Sequence, residues 1–165
     1  MKRIGVPVRA TEINQLPDSR GVVNRREGWT RSCKSIVGAI SGGVEVVKKV
    51  LVVDDSQAEI RLLQSVLEQA GYCSVGISDP TKIEEAIEEE RPNVILLDVV
   101  MPRRNGFQAC RDLKSQESFA QIPVILVTSK ATPSDRYWGE QQGANGFVAK
   151  PFTPDELIST VKRFA

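Results

Sequence analysis

From residue 49 onward, five short apolar runs alternate with five stretches of helical periodicity, and this alternation restricts the fold more than any other feature. The runs are Val50–Val53, Tyr72–Ile77, Val94–Leu97, Val124–Val127 and Gly146–Ala149. The first, third and fourth are unbroken Val, Ile and Leu. Strands that are apolar on both faces must be covered on both faces, which is the condition of a parallel sheet between helical layers.

The stretches between the runs carry helix punctuation. Ser56 with Glu59 reads as a capping box, and Ile60, Leu63, Val66, Leu67 and Ala70 follow on one face that ends at Gly71. Pro80 opens a second helix with Ile83, Ala86 and Ile87 inward and an acidic outer face through Glu90. A third starts near Gly106 and carries Phe107, Cys110 and Leu113. Thr132-Pro133 opens a fourth. Thr153-Pro154-Asp155-Glu156 caps a fifth, with Leu157, Ile158, Val161 and Phe164 on its inner face. Strict βα alternation with right-handed crossovers predicts an α/β domain, a flavodoxin-like (βα)5 doubly wound parallel sheet of strand order 2-1-3-4-5.

The residues that end the runs are chemically pointed. The first run ends in Asp54-Asp55, the third in Asp98, the fourth in Thr128 and the fifth in Lys150. In a parallel sheet these ends share one edge, and ligands bind there where the strand order reverses. Three carboxylates, a hydroxyl and an ammonium are therefore expected on one shallow site. Carboxylates so close repel by several kcal/mol, roughly, when partly buried. A hard divalent cation relieves that repulsion, and oxygen-only ligation with open water positions suits Mg2+ better than Ca2+. With Mg2+ and Lys150 the site could hold a dianionic phosphoryl group, and a carboxylate can serve as the nucleophile that forms an acyl phosphate.

Composition narrows the chemistry further. The chain has no histidine, which excludes Ser-His-Asp and Cys-His nucleophile systems, a histidine base and His-ligated zinc. Cys33, Cys73 and Cys110 are far apart and form no CxxC pair, so they are expected as free thiols in a reducing cytoplasm. No apolar run is long enough to span a membrane. Charge is uneven: residues 1–48 hold 9 Lys/Arg and 4 Asp/Glu, against 13 and 17 in residues 49–165. Residues 1–48 are read as a basic, largely disordered extension, with a short helix around Cys33–Ile40. Val47-Lys48-Lys49-Val50 also looks like a protein beginning. Translation from Val44, Val46 or Val47 would omit most of the extension.

Four segments resemble the receiver domain of two-component response regulators across residues 49–165. They are Val50-Leu51-Val52-Val53-Asp54-Asp55-Ser56, Val94-Ile95-Leu96-Leu97-Asp98-Val99-Val100-Met101-Pro102, Val124-Ile125-Leu126-Val127-Thr128-Ser129, and Gly143-Ala144-Asn145-Gly146-Phe147-Val148-Ala149-Lys150-Pro151-Phe152. Tyr137-Trp138-Gly139 and an end of the chain at Ala165, directly after the fifth helix, make single-domain regulators of twitching motility and phototaxis the nearest kind.

The resemblance implies roles position by position. Asp98 would be the phosphoacceptor. Asp54, Asp55, Asp98 and the backbone carbonyl of Val100 would hold Mg2+. Lys150 would pair with the phosphoryl oxygens, aimed by a cis bond to Pro151, and Thr128 would move to hydrogen-bond the phosphoryl group. Phe147 would turn inward as Thr128 moves, altering the surface of the fourth helix, fifth strand and fifth helix, where an output protein would bind. Tyr137 and Trp138 are either a docking patch or packing under the fourth helix. Of the two positions that tune signal lifetime, Val100 cannot orient a hydrolytic water by hydrogen bonding and Lys130 adds a flexible cation at the rim, so no fast built-in dephosphorylation is expected. The implied protein is a cytoplasmic switch, not an enzyme beyond its own phosphorylation and dephosphorylation. Its donor is a histidine kinase or phosphotransfer protein, since the chain lacks a histidine of its own. Competing readings are a phosphate sink, a phosphohydrolase (disfavoured because Val100 stands where those enzymes carry a second acid), a phosphorylation-silent receiver (disfavoured because the acidic set is complete) and nucleic-acid binding through the sparse basic arm, which is the less favoured partner.

Overall fold

The structure is a computed structural model and describes residues 47–165. The basic extension, the helix expected at Cys33–Ile40, and the starts at Val44 and Val46 lie outside the described residues. Five strands, β1 (Lys49–Val53), β2 (Cys73–Ile77), β3 (Val94–Leu97), β4 (Val124–Thr128) and β5 (Gly146–Ala149), form one sheet in the order β2-β1-β3-β4-β5. Every pairing is parallel, as in Val53 against Ile77 on one side and Leu97 on the other. The helices are α1 (Gln57–Gln69), α2 (Ile83–Glu90), α3 (Gly106–Ser115), α4 (Pro133–Gln141) and α5 (Pro154–Lys162).

The unbroken apolar strands divide their side chains between two cores. Val50, Val52, Leu96, Ile125 and Val127 pack with Ile60, Leu63 and Leu67 of α1 and with Leu157 and Val161 of α5. Leu51, Val53, Ile95, Leu97 and Leu126 pack with Ile83 and Ile87 of α2 and with Ala109, Cys110 and Leu113 of α3. This is the two-faced burial that the sequence called for.

Local chemistry sets the helix starts. Thr132 with Asp135 and Thr153 with Glu156 form complete capping boxes at α4 and α5. Gly71 follows α1 at φ +84°, a left-handed turn that a side chain would disfavour. Two expectations are refined. Pro80 opens a single 3-10 turn, Pro80–Lys82, capped by Asp79, and α2 proper begins at Ile83. Ala70 is exposed at the C-cap of α1 and does not join the apolar face.

The expectation of three free thiols holds for Cys110, which is buried and free, and fails at Cys73, which is disulfide-bonded. Among the described residues no helix is long and apolar enough to cross a membrane.

Candidate functional site

β1 and β3 lie side by side where the strand order turns back, so the residues following them are neighbours. Asp98 continues its strand by one hydrogen bond, its N–H donating to the Val53 carbonyl at 2.9 Å. Lys150 does the same at the end of β5, donating to the Thr128 carbonyl at 2.9 Å. The Lys150–Pro151 bond is cis, as the resemblance implies.

These ends bring Asp54, Asp98 and Lys150 together. The Lys150 ammonium donates to Asp54 Oδ2 at 2.7 Å and to Asp98 Oδ1 at 3.3 Å. The second oxygen of each acid is held by backbone: Asp54 Oδ1 accepts the Ser56 N–H at 2.9 Å and Asp98 Oδ2 accepts the Val100 N–H at 2.7 Å. Asp54 is 2% and Asp98 6% exposed. Both buried acids are thus fully partnered, the condition under which buried polar groups persist.

Burial lifts the Asp98 carboxyl above its ordinary value of 3.8. Lys150 pulls it back, the charge of Asp54 adds to the rise, and the Val100 N–H also lowers it without cancelling the shift. Burial pulls the Lys150 ammonium down, but the bond to Asp54 and the charges of Asp98, Asp54 and Glu59 outweigh it and leave it above 10.5. The lysine holds its proton firmly, and Asp98 is more readily neutralised than an ordinary aspartate.

The site opens into a pocket of about 570 Å³ whose lining includes Asp54, Asp55, Asp98, Val100 and Lys150. Asp55 is exposed, and its carboxylate has no partner among the described residues. No group of three or more His, Cys, Asp and Glu side chains among the described residues encloses a metal position. The donor set still fits a cation of low protein coordination. It is oxygen-only, open to solvent, and includes one unpartnered carboxylate beside two held by a displaceable ammonium.

Other expected residues sit around this centre. Thr128 is fully buried, and its hydroxyl accepts the Lys130 N–H at 3.2 Å without touching Asp98. Lys130 itself is exposed at the rim. Phe147 lies outside the pocket, half-buried against the α2–α3 core, with the Arg136 guanidinium 4.7 Å from its ring centre. Val100 is 48% exposed. Tyr137 and Trp138 are 60% and 59% exposed, so they do not pack under α4.

Sequence reasoning missed Glu59, Ser129, Leu62 and Phe152 as lining residues of the pocket. The sequence matches Glu59 to a capping box with Ser56. Ser56 does accept the Glu59 N–H at 3.4 Å, but the return bond is absent, because Asp54 takes the Ser56 N–H. The freed Glu59 carboxylate lies 3.6 Å from Lys150. Its place in the first turn of the helix that follows Asp54-Asp55 was the available signal. The β3–α3 loop has an unforeseen clamp as well: Arg104 bonds Glu84 at 2.7 and 3.0 Å and Asp112 at 3.1 Å.

Comparison with known proteins agrees with the fold. Residues 50–162 match the model of the response regulator receiver domain. Protein PilH of Pseudomonas aeruginosa is 37% identical over 113 residues, covering 68% of this chain and 93% of that protein. The chain spans about half the length of several transcriptional regulators that it also matches. Among solved structures, the chemotaxis response regulator CheY4 of Vibrio cholerae superposes with a TM-score of 0.68 at 30% identity, covering 73% of this chain and 100% of that one. The receiver domain of the sensor histidine kinase PA1611 of Pseudomonas aeruginosa, with a magnesium ion coordinated in its active-site cleft, gives a TM-score of 0.66 at 28% identity, covering 72% of this chain and 98% of that one. The chain belongs to the family of response regulator receiver domains, the phosphorylation switches of two-component signalling.

Proposed function

We propose that this chain is a phosphoaspartate switch in which Asp98 accepts a phosphoryl group from a histidine kinase or phosphotransfer partner. The observation that carries the reading is the buried Asp98 carboxylate, fixed through Oδ2 by the Val100 N–H and facing the Lys150 ammonium through Oδ1. An Asp98 oxygen attacks the phosphorus of the donor's phosphohistidine. The new O–P bond forms as the P–N bond breaks, and the imidazole leaves with its electron pair and takes up a proton. Lys150 stabilises the transferring oxygens by a charge-assisted contact. Asp54, Asp55, Asp98 and the Val100 carbonyl are the proposed holders of Mg2+. When bound, that cation neutralises the acidic set and the incoming phosphoryl oxygens.

Thr128 then exchanges its bond with the Lys130 N–H for one to the phosphoryl group. Phe147 moves into the space beside it and changes the face formed by α4, β5 and α5 for an output protein. Similarity to a chemotaxis response regulator supports control of motility or taxis. Phosphorylation biases a two-state equilibrium, so its effect is bounded by the difference in its interactions with the two states.

The test is incubation with acetyl phosphate and MgCl2, followed by intact mass. The wild type gains one phosphoryl group and Asp98→Asn gains none. Equal labelling of both proteins would move the acceptor to another residue. Val100 and Lys130 give slow autodephosphorylation, so a phosphoryl half-life of a few seconds would count against their assigned part.

A further inference from the structure

We infer that Glu59 is a positioning residue that receives the Lys150 ammonium when a divalent cation loads the acidic site, and that it competes with the phosphoryl group for that ammonium afterwards. This deepens the phosphoaspartate reading and rests on it.

Two observations set Glu59 apart. It stands at the third position of α1, where the carboxylates of α4 and α5 at the same position close complete capping boxes. Of these three helices, α1 alone leaves the box open. The cause is local: Asp54 Oδ1 has already taken the Ser56 N–H that Glu59 would accept. The second observation is where the released carboxylate goes. It lines the same pocket as Asp54, Asp55 and Asp98, 3.6 Å from the Lys150 ammonium.

Lys150 therefore has three carboxylates around it, at 2.7, 3.3 and 3.6 Å. Asp54 and Asp98 are the two that a divalent cation would also claim. A cation on those oxygens repels the ammonium, and a displaced ammonium without an anionic partner would be costly in a half-buried site. Glu59 is the one carboxylate of the three outside the proposed ligand set. It gives the ammonium somewhere to go and so makes cation loading easier. A phosphoryl group on Asp98 reverses the sign. Lys150 must leave Glu59 to meet the phosphoryl oxygens, and the Glu59 charge itself repels them. Glu59 thus favours the first step and opposes the second.

Glu59→Gln separates these effects, because the glutamine keeps size and polarity and loses only the charge. No capping bond is lost with it, since the Glu59 side chain makes none to Ser56. Two affinities are measured on the full chain by amide chemical-shift titration: MgCl2 alone, and beryllofluoride at saturating MgCl2 as the phosphoryl mimic. Relative to the wild type, the variant should bind Mg2+ about two- to fivefold more weakly and beryllofluoride about two- to fivefold more tightly, the size expected of a partly exposed ion pair. A general loosening of the site would weaken both, and a non-specific change in field would leave both near the wild-type values at 0.5 M salt. Any outcome other than opposite shifts overturns the role of Glu59. If the wild type binds neither probe, or Asp98→Asn binds beryllofluoride as well as the wild type, the phosphoaspartate reading itself fails, and the Glu59 inference falls with it.

Discussion

Gly106, the first residue of α3, is packed beneath the residue on which the proposed chemistry depends. A Cβ built there would drive into the Asp98 carbonyl oxygen and lie 2.8 Å from Val99 Cα and 2.9 Å from the Asp98 carbonyl carbon. All three atoms are main chain, so no rotamer change relieves the overlap, and α3 must slide or the Asp98 segment must shift. Overpacking costs about 1–3 kcal/mol, and immovable neighbours put this site near the upper end. The helix propensity of alanine over glycine returns up to ~1 kcal/mol. The net destabilisation of Gly106→Ala is then about 2 kcal/mol, which corresponds to a fall of roughly 8 °C in Tm for a domain of this size. Gly139→Ala is the control. Its nearest obstacle is the Leu126 Cδ1 methyl at 2.7 Å, the end of a side chain that can yield, and its loss should be smaller. Calorimetry or thermal circular dichroism reads both, and acetyl phosphate labelling of Gly106→Ala should slow because the displaced backbone is that of Asp98. A Gly106→Ala protein that melts within 2 °C or so of the wild type, or less destabilised than Gly139→Ala, would refute the steric argument.

The remaining predictions concern charge and burial. Asp98 holds its proton to higher pH folded than unfolded, so the stability it contributes falls as pH rises from 3.8 through its raised folded value. Asp98→Asn should therefore melt higher than the wild type at pH 7, with the gap closing below pH ~4. An equal gap at both pH values would contradict this. Arg104→Met removes a bidentate contact and leaves Glu84 and Asp112 facing one another's charge without the guanidinium. A loss of about 1–2 kcal/mol in urea unfolding at low salt is expected, and no loss would mean the clamp is a surface contact only. Burial pushes the Cys110 thiol up to about 11, so iodoacetamide at pH 8 should modify it only after denaturant is added. Rapid native labelling, read by peptide mass, would show that α3 opens.

The fold was legible because its signals are local or periodic. Val50–Val53, Val94–Leu97 and Val124–Val127 have no polar interruption, and that alone implies two helical layers. The strand ends followed from the same reading, so Asp54, Asp98 and Lys150 could be placed together across a separation of 96 residues. Features set by competition between neighbours were not legible. Ser56 and Glu59 match a capping box, and nothing in the motif reveals that Asp54 claims the amide first. Arg104 reaches Glu84 and Asp112, partners 20 and 8 residues away, and no periodicity links them. The exposure of Tyr137 and Trp138 was undetermined for a similar reason. Short α4 buries only Gly139 fully, so its apolar residues carry no face signal.

Asp98 extends the central β1–β3 ladder by one rung, through the Val53 carbonyl, and Lys150 extends the β4–β5 ladder at the edge of the sheet, through the Thr128 carbonyl. Asp98 therefore stands on the centre of the sheet, and its amide should exchange with deuterium nearly as slowly as those of β1 and β3, and more slowly than that of Lys150 on the edge strand. Work done on Asp98 cannot be absorbed by bending the sheet beneath it. It must spread sideways into the connecting loops, which makes the sheet an anvil and the loops the moving part of the signal.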